Sequence, residues 1–155
     1  MLTSSYKDVT STIPAAPGAG RYKAGPGRSL PTAPTAPVKP GKGLVATAAK
    51  QLGQPYVWGG ESRKEGGFDC SGLVDWAARQ RGYNGPRLTT YTIAKMGQSV
   101  KGGQLKPGDL VISNGGEHVS IYAGDGKVLV SPHTGTVVQY QNIASNVTDV
   151  RRVGL

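Results

Sequence analysis

The spacing of apolar residues changes along the chain from a helical period to that of strands. Between residues 42 and 52 the apolar side chains recur every three or four residues, and Gly53 ends the run; they are Leu44, Val45, Ala48, Ala49 and Leu52. A second helical run covers residues 70–80, with Asp69 at its capping position. A short third helix is expected at residues 91–96. This part of the chain is therefore predicted to be helical.

Short runs rich in β-branched residues follow these helices. The segments DLVIS, HVSIYAG and KVLVS are separated by NGGE and GDG, which are typical hairpin turns. TVVQYQ and DVRRV are expected to complete the sheet near the C-terminus. Helices followed by hairpin-connected strands predict an α+β fold, in which N-terminal helices pack on a C-terminal antiparallel sheet.

The distribution of proline separates a tail from a domain. Seven of the 11 prolines lie in the first forty residues, where PTAPTAPVKP repeats a Pro-Thr-Ala unit. Such a segment favours the polyproline II conformation and supplies no core. We therefore expect residues 1–40 to form an extended tail or linker and residues 41–155 to form one domain. A passive linker and a docking arm remain open as roles of the tail, and the composition favours the linker.

Charge and composition exclude several kinds of site. The formal net charge of +9 suits a polyanionic partner such as nucleic acid, anionic lipid or cell wall. The basic residues form no long run and no arginine-aromatic pattern, so nucleic acid is not expected as a partner. Cys70 is the single cysteine, which excludes an intrachain disulfide and a thiolate metal cluster. No metal and no cofactor are expected, and no stretch approaches the roughly 18 to 20 apolar residues of a membrane span.

Cys70 and His118 are the candidate catalytic pair. A thiol attacks an amide efficiently as a thiolate, so it needs a partner that takes its proton. Cys70 lies at the first turn of the predicted second helix, where unpaired N–H groups favour negative charge. His118 opens a strand, and a helix-borne cysteine facing a strand-borne histidine is the papain arrangement. Taken alone, the pair is equally compatible with a buried apolar cysteine and a hairpin histidine.

Four further segments extend this pattern. GQPYVWGG, GFDCSGLV, LKPGDLV and HVSIYAGDGK occur in this order, and together they resemble the NlpC family of cell-wall cysteine peptidases over residues 45–138. The resemblance implies a papain-like fold with the nucleophile at a helix N-terminus. It also implies hydrolysis of a peptide bond in the peptidoglycan stem, typically the bond between D-glutamate, through its γ-carboxyl, and the diamino acid.

The resemblance also implies roles for individual residues. Cys70 matches the nucleophile and His118 the general base. Tyr56 matches a tyrosine whose hydroxyl lies near the thiol, and Asp69 and Ser71 match residues that line the pocket for the N-terminal side of the stem. Core packing is an alternative for Tyr56, and helix capping is a compatible role for Asp69. For Trp58 we expect a position in the core between the helix and the sheet.

One position departs from the family pattern. Relatives place a third polar residue, most often histidine, near the end of the strand after the GDGK turn, where it orients the base. That position falls on Val130, which cannot accept a hydrogen bond from imidazole. His133 lies three residues further on, beyond Pro132, and is a candidate substitute. A surface position and a contact with substrate remain open for His133.

Three functions therefore compete. An active peptidoglycan endopeptidase is favoured. A catalytically weak or inactive wall-binding module of the same fold is suggested by Val130. A related cysteine amidase or acyltransferase would use the same pair of residues on another bond.

The expected place of action is the bacterial cell wall. The N-terminus has neither the apolar nor the basic region of a secretory signal peptide. We therefore expect delivery by a phage tail, a lysis system or a bacterial injection machine. Residues 1–40 are the expected contact with such an assembly.

Deleting residues 1–40 tests the predicted boundary. The melting temperature should change by no more than about 2 °C, because the tail offers little apolar surface to bury. Hydrolysis of soluble stem peptides should also be retained. Calorimetry measures the melting temperatures of residues 41–155 and of the full chain under the same conditions. A much larger fall in melting temperature would show that the tail belongs to the core.

Overall fold

The computed structural model describes residues 42–101 and 103–155, and the predicted tail lies outside them. Three helices precede most of the sheet: α1 (Gly43–Ala49), α2 (Cys70–Gln80) and α3 (Thr90–Ile93). A two-stranded hairpin of β1 (Glu61–Ser62) and β2 (Gly67–Phe68) lies between α1 and α2. The remaining strands are β3 (Gln98–Ser99), β4 (Leu110–Ser113), β5 (His118–Gly124), β6 (Lys127–Val130), β7 (Gln139–Asn142) and β8 (Val147–Arg152).

The main sheet is antiparallel and has the strand order β3-β8-β4-β5-β6-β7. β5 pairs with both β4 and β6, so the strand that begins with His118 lies inside the sheet. α2 contacts β5, which puts the helix that begins with Cys70 beside it. The predicted α+β, papain-like architecture is therefore confirmed.

The two faces of the sheet bury different clusters, because successive residues of a strand point to opposite faces. Val119 and Ile121 of β5 belong to the larger core, together with Leu73 and Val74 of α2. Val111, Val128, Val130 and Val150 form a smaller cluster of their own. The alternation puts His118 on the same strand face as the smaller cluster and Val119 on the face toward α2.

Several boundaries differ from those predicted. α1 ends at Ala49, and α3 covers Thr90–Ile93 after a capping box between Thr89 and Thr92. Residues 136–138, expected to form part of a strand of the sheet, pair instead with residues 53–56: the N–H of Val138 donates to Gln54 O at 2.9 Å. This pairing matters for the site because it holds Tyr56 beside the sheet. None of the helices in residues 42–101 and 103–155 has the length and apolar character that a membrane crossing requires.

The expectation that Trp58 is a core residue was wrong, since its side chain is 83% exposed. Trp58 occupies a turn that closes where the N–H of Gly60 donates to Val57 O at 2.8 Å. Trp76 is the tryptophan that packs against the larger core, with its ring 6.0 Å from that of Phe68 in an edge-to-face arrangement. An apolar residue within a turn has no neighbours that reveal its burial, which explains the error.

The two tryptophans should therefore differ in their contributions to stability. Trp58→Ala should change the free energy of unfolding by less than about 0.5 kcal/mol, because it removes exposed surface. Trp76→Ala should cost about 2 to 4 kcal/mol, because it removes a ring packed on Phe68. Denaturant unfolding of both variants beside the wild type provides the values. Equal losses would contradict the assigned burial.

Candidate active site

Cys70 is the first residue of α2, and Asp69 caps this helix. The Asp69 Oδ1 atom accepts hydrogen bonds from Gly72 N at 2.6 Å and from Ser71 Oγ at 3.3 Å. The other carboxylate oxygen, Oδ2, accepts from Gly59 N at 3.1 Å. Asp69 therefore joins the start of the helix to the turn at residues 57–60. The predicted capping position is confirmed.

A close backbone contact lets α2 start at this place. A Cβ atom added to Gly72 would lie 1.9 Å from Gly60 O, which no structure tolerates. A Cβ added to Gly60 would lie 2.4 Å from Gly67 O. The backbone of residues 57–60 therefore touches both β2 and the first turn of α2, and only glycine fits at these two contacts.

The Cys70 thiol lies against the start of β5. The backbone N–H groups of Val119, Ser71 and Cys70 itself donate toward the sulfur and lower its pKa. Burial has the larger effect and, with the negative charge of Asp69, raises the pKa of the thiol to about 12. The helix N-terminus was expected to stabilise the thiolate, and its N–H groups act in that direction. Their effect on the pKa of the thiol is smaller than the effect of burial.

His118 immediately precedes the residue whose N–H group donates to the Cys70 sulfur. Burial and, to a smaller extent, the charge of His133 lower the pKa of His118 to about 4. The imidazole is therefore neutral at pH 7, with one ring nitrogen able to accept a proton. A neutral imidazole is in the protonation state that a general base needs in order to take the proton of a neutral thiol.

Tyr56 is held between the hairpin and the sheet. Its N–H donates to Thr136 O at 2.9 Å, while the flanking Pro55 and Val57 are hydrogen-bonded to Phe68. Burial raises the pKa of the Tyr56 hydroxyl, and the charges of Cys70 and Asp69 raise it as well. The phenol therefore stays protonated, and it lies close enough to Cys70 for the two groups to interact electrostatically. The role of Tyr56 beside the thiol stays a prediction.

Val130 and His133 occupy different environments. Val130 is buried in the small apolar cluster on the face of the sheet that carries His118. His133 lies in the loop after β6, where its Nδ1 atom is 3.0 Å from Thr134 O. Its backbone N–H and C=O both bond the Thr136 hydroxyl. His133 is near enough to act electrostatically on His118, and its role as orienter stays a prediction.

Arg87 is a polar residue of the site that the sequence did not reveal. Its Nε atom donates to Glu61 Oε2 at 2.6 Å, and its Nη2 atom lies 3.7 Å from Asp69 Oδ1. These partners are 26 and 18 residues away along the chain, so no local pattern could have indicated them. Within the described part of the chain, no three His, Cys, Asp or Glu side chains are grouped so as to hold a metal ion.

Comparison with known proteins gives the same family from sequence and from structure. Residues 53–154 match the NlpC/P60 family. A probable endopeptidase of Mycobacterium tuberculosis is 40% identical over 112 residues, which cover 70% of this chain and 28% of that protein. The gamma-D-glutamyl-L-lysine dipeptidyl-peptidase of Bacillus subtilis is 36% identical over 110 residues, covering 67% and 36%.

The solved structures agree with this result. The peptidoglycan hydrolase RipB from Mycobacterium tuberculosis superposes with a TM-score of 0.64 at 30% identity, covering 72% of this chain and 63% of that one. The chain spans only about a quarter to a third of the length of the two curated relatives. The similarity is therefore to one domain of longer proteins.

The pKa of His118 predicts a pH dependence of stability. In the unfolded chain His118 takes up a proton near pH 6.5, whereas in the folded protein it does so near pH 4. Stability should therefore fall as the pH drops from 6.5 to 4, by up to about 3 kcal/mol from this group. His118→Gln should lose that part of the slope. Denaturant unfolding at several pH values measures it, and parallel curves for the two proteins would contradict the lowered pKa.

Proposed function

This chain belongs to the NlpC/P60 family, and we propose that it is a cysteine peptidase that hydrolyses the stem peptide of bacterial peptidoglycan. The observation that carries the proposal is the position of Cys70 at the first residue of α2, with its sulfur against the N–H group of Val119, next to His118. Family membership supports the reaction class, because the relatives described above are named as peptidases and a peptidoglycan hydrolase.

The proposed reaction begins with two neutral groups. His118 accepts the thiol proton while the Cys70 sulfur attacks the carbonyl carbon of the scissile bond. The carbonyl oxygen becomes negative and is stabilised by N–H groups at the start of α2 and by the Tyr56 hydroxyl. Imidazolium then gives its proton to the leaving amine, and a thioester remains on Cys70. Water, deprotonated by His118, hydrolyses the thioester and restores the thiol.

The proposed bond joins the γ-carboxyl of D-glutamate to the diamino acid. It is supported by the Bacillus subtilis relative, whose name specifies a gamma-D-glutamyl-L-lysine bond. Asp69 and Ser71 are the proposed contacts for the N-terminal side of the stem. Both lie at the start of the nucleophile helix, and the Asp69 side chain is partly exposed, as a group that contacts substrate needs to be.

His133 is the proposed orienter of His118. Its charge acts on His118, whereas Val130 offers no hydrogen-bonding group at the position used by relatives. The burial of Val130 among valines also favours a second candidate, a wall-binding module with weak or no turnover. An amidase or acyltransferase using Cys70 and His118 remains the third.

The proposed domain is residues 41–155, and the proposed site of action is the cell wall. The expected involvement of a phage tail, lysis system or injection machine rests on the sequence alone, and the relatives described above are bacterial proteins. The contact assigned to residues 1–40 lies outside the described residues and stays a prediction.

Replacing the nucleophile tests the reaction. Cys70→Ala should reduce the release of stem-peptide fragments from purified peptidoglycan by at least about 10³-fold, because the attacking atom is lost. Binding to the wall should persist. Mass spectrometry of the soluble products gives both the rate and the bond cleaved. Undiminished release by Cys70→Ala would rule out the peptidase, and equal inactivity of the wild type would favour the binding module.

Replacing His133 tests the orienter. His133→Ala should lower kcat by about 10- to 10⁴-fold with little change in KM, because an unoriented imidazole accepts the proton less often. Thr134→Ala is the matched control, since that residue is the exposed neighbour in the same loop. Val130→His in the His133→Ala background should recover activity. Full activity of His133→Ala on soluble stem peptides would leave a dyad of Cys70 and His118.

A further inference from the structure

Arg87 lies between two carboxylates near the start of the nucleophile helix. It belongs to the connection between α2 and α3, and its side chain is about one-third exposed, at 34%. Its Nε atom is committed to Glu61 on β1 through a hydrogen bond of 2.6 Å. The other end of the guanidinium faces Asp69, with Nη2 at 3.7 Å from Oδ1. Arg87 therefore connects the hairpin to the residue that precedes Cys70.

Asp69 has two opposing effects on this site. Its oxygens accept from Gly72 N at 2.6 Å and from Gly59 N at 3.1 Å, so its carboxylate holds together the helix start and the adjacent turn. Its negative charge, however, raises the pKa of the neighbouring Cys70 thiol and therefore opposes the thiolate needed for attack. The Asp69 carboxylate thus stabilises the structure of the site and at the same time disfavours formation of the thiolate.

We propose that Arg87, anchored by Glu61, is a positioning residue that offsets the charge of Asp69 beside the reacting sulfur. The distance supports an effect of charge rather than of hydrogen bonding. At 3.7 Å, Nη2 is too far to hydrogen-bond Oδ1, and this buried atom has no hydrogen-bond partner among the described residues. Oδ1 therefore keeps its bond to Gly72 while the positive charge remains nearby.

A second arginine–aspartate pair, within α2, shows what a structural pair looks like. Arg79 contacts Asp75 through both ends of its guanidinium, with Nε at 2.8 Å and Nη2 at 3.2 Å. Asp75 also accepts from Leu88 N at 2.8 Å, which ties the loop to the helix. Arg87 makes no such fork with Asp69, because Glu61 holds its Nε atom. Arg79 therefore stabilises the fold through a two-bond ion pair, whereas Arg87 places a positive charge near Asp69 without hydrogen-bonding it.

The thiol is surrounded by groups from several elements. Asp69 at the helix start and Tyr56 beside β2 interact electrostatically with it, and Val119 of β5, the residue after His118, donates its N–H toward the sulfur. His133, in the loop after β6, acts on His118. Arg87 influences the thiol through Asp69: burial raises the pKa of the Asp69 carboxyl, and the positive charge of Arg87 opposes that rise. The inference deepens the proposed function, since it concerns the same sulfur, but it can be tested on the thiol without any hydrolysis.

The test is the rate at which iodoacetamide alkylates Cys70 at pH 7, followed by intact mass. Since Cys70 is the chain's only cysteine, the added mass reports on this thiol alone. Arg87→Gln should slow alkylation by about two- to fivefold, because the thiolate is less populated once the positive charge is gone. Arg87→Lys, which keeps the charge, should lie between Arg87→Gln and the wild type. Arg79→Gln is the matched control and should leave the rate unchanged even where it lowers the melting temperature.

Asp69→Asn shows whether the effect depends on the charge of Asp69. Asparagine caps helices as well as aspartate does, so the helix start is retained. Combined with Arg87→Gln, it should bring the rate back to or above that of the wild type. The inference is overturned if folded Arg87→Gln reacts like the wild type, or if the double variant stays as slow as Arg87→Gln.

If Arg87→Gln does not fold, Asp69→Asn tests the premise on which the proposal rests. It should alkylate faster than the wild type, and a rate no faster overturns the proposal. Failure of the proposed function is a separate result. It would appear as peptidoglycan hydrolysis that survives Cys70→Ala, whatever the alkylation rates.

Discussion

The backbone contact between residues 57–60 and the first turn of α2 is the constraint on which the site depends. Gly60 O lies where a Cβ on Gly72 would be, and the N–H of Asp69 donates to the same oxygen at 2.9 Å. Ser131 Oγ adds a bond of 2.6 Å to Phe68 O, which ties the end of β6 to β2. A side chain at Gly72 would move the helix start away from β5, and the Val119 N–H group would no longer reach the sulfur.

Enclosure by protein sets the charge states of the proposed catalytic pair. It raises the pKa of Cys70 and lowers that of His118, so it favours the uncharged form of each. The proposed reaction therefore needs no thiolate before substrate arrives. In it, proton transfer accompanies attack, and the N–H groups near the sulfur stabilise the charge as it forms. Asp69 contributes the capping hydrogen bonds and a negative charge that disfavours the thiolate of Cys70. The guanidinium of Arg87 lies next to the Asp69 carboxylate.

The sequence predicted those features that have local signals. Residues 70–80 were predicted to be helical because a capping aspartate precedes a regular apolar period, and α2 covers Cys70–Gln80. The position of Val130 followed from counting along the GDGK turn, and the structure buries it among valines on the strand face that carries His118. The runs predicted to form strands are strands in the structure, because each run of β-branched residues and the turns that bound it lie next to one another in the sequence.

Features that depend on distant segments were not predicted. Residues 136–138 lie outside the main sheet because residues 53–56 offer hydrogen-bonding partners, and this pairing depends on the tertiary fold. Trp58 was assigned to the core although it is exposed. Arg87 was missed because its carboxylate partners are remote in the chain. The raised pKa of Cys70 was missed because the expected helix-terminal effect is local, whereas burial comes from the whole fold.

The central claim is that attack by the Cys70 sulfur carries the reaction. The most direct measurement follows hydrolysis of a stem peptide while Cys70 is progressively alkylated, with the modified fraction read by intact mass on the same samples. We expect activity to fall in proportion to the modified fraction and to reach zero when every Cys70 carries the label. Hydrolysis that continues in fully alkylated protein would contradict it.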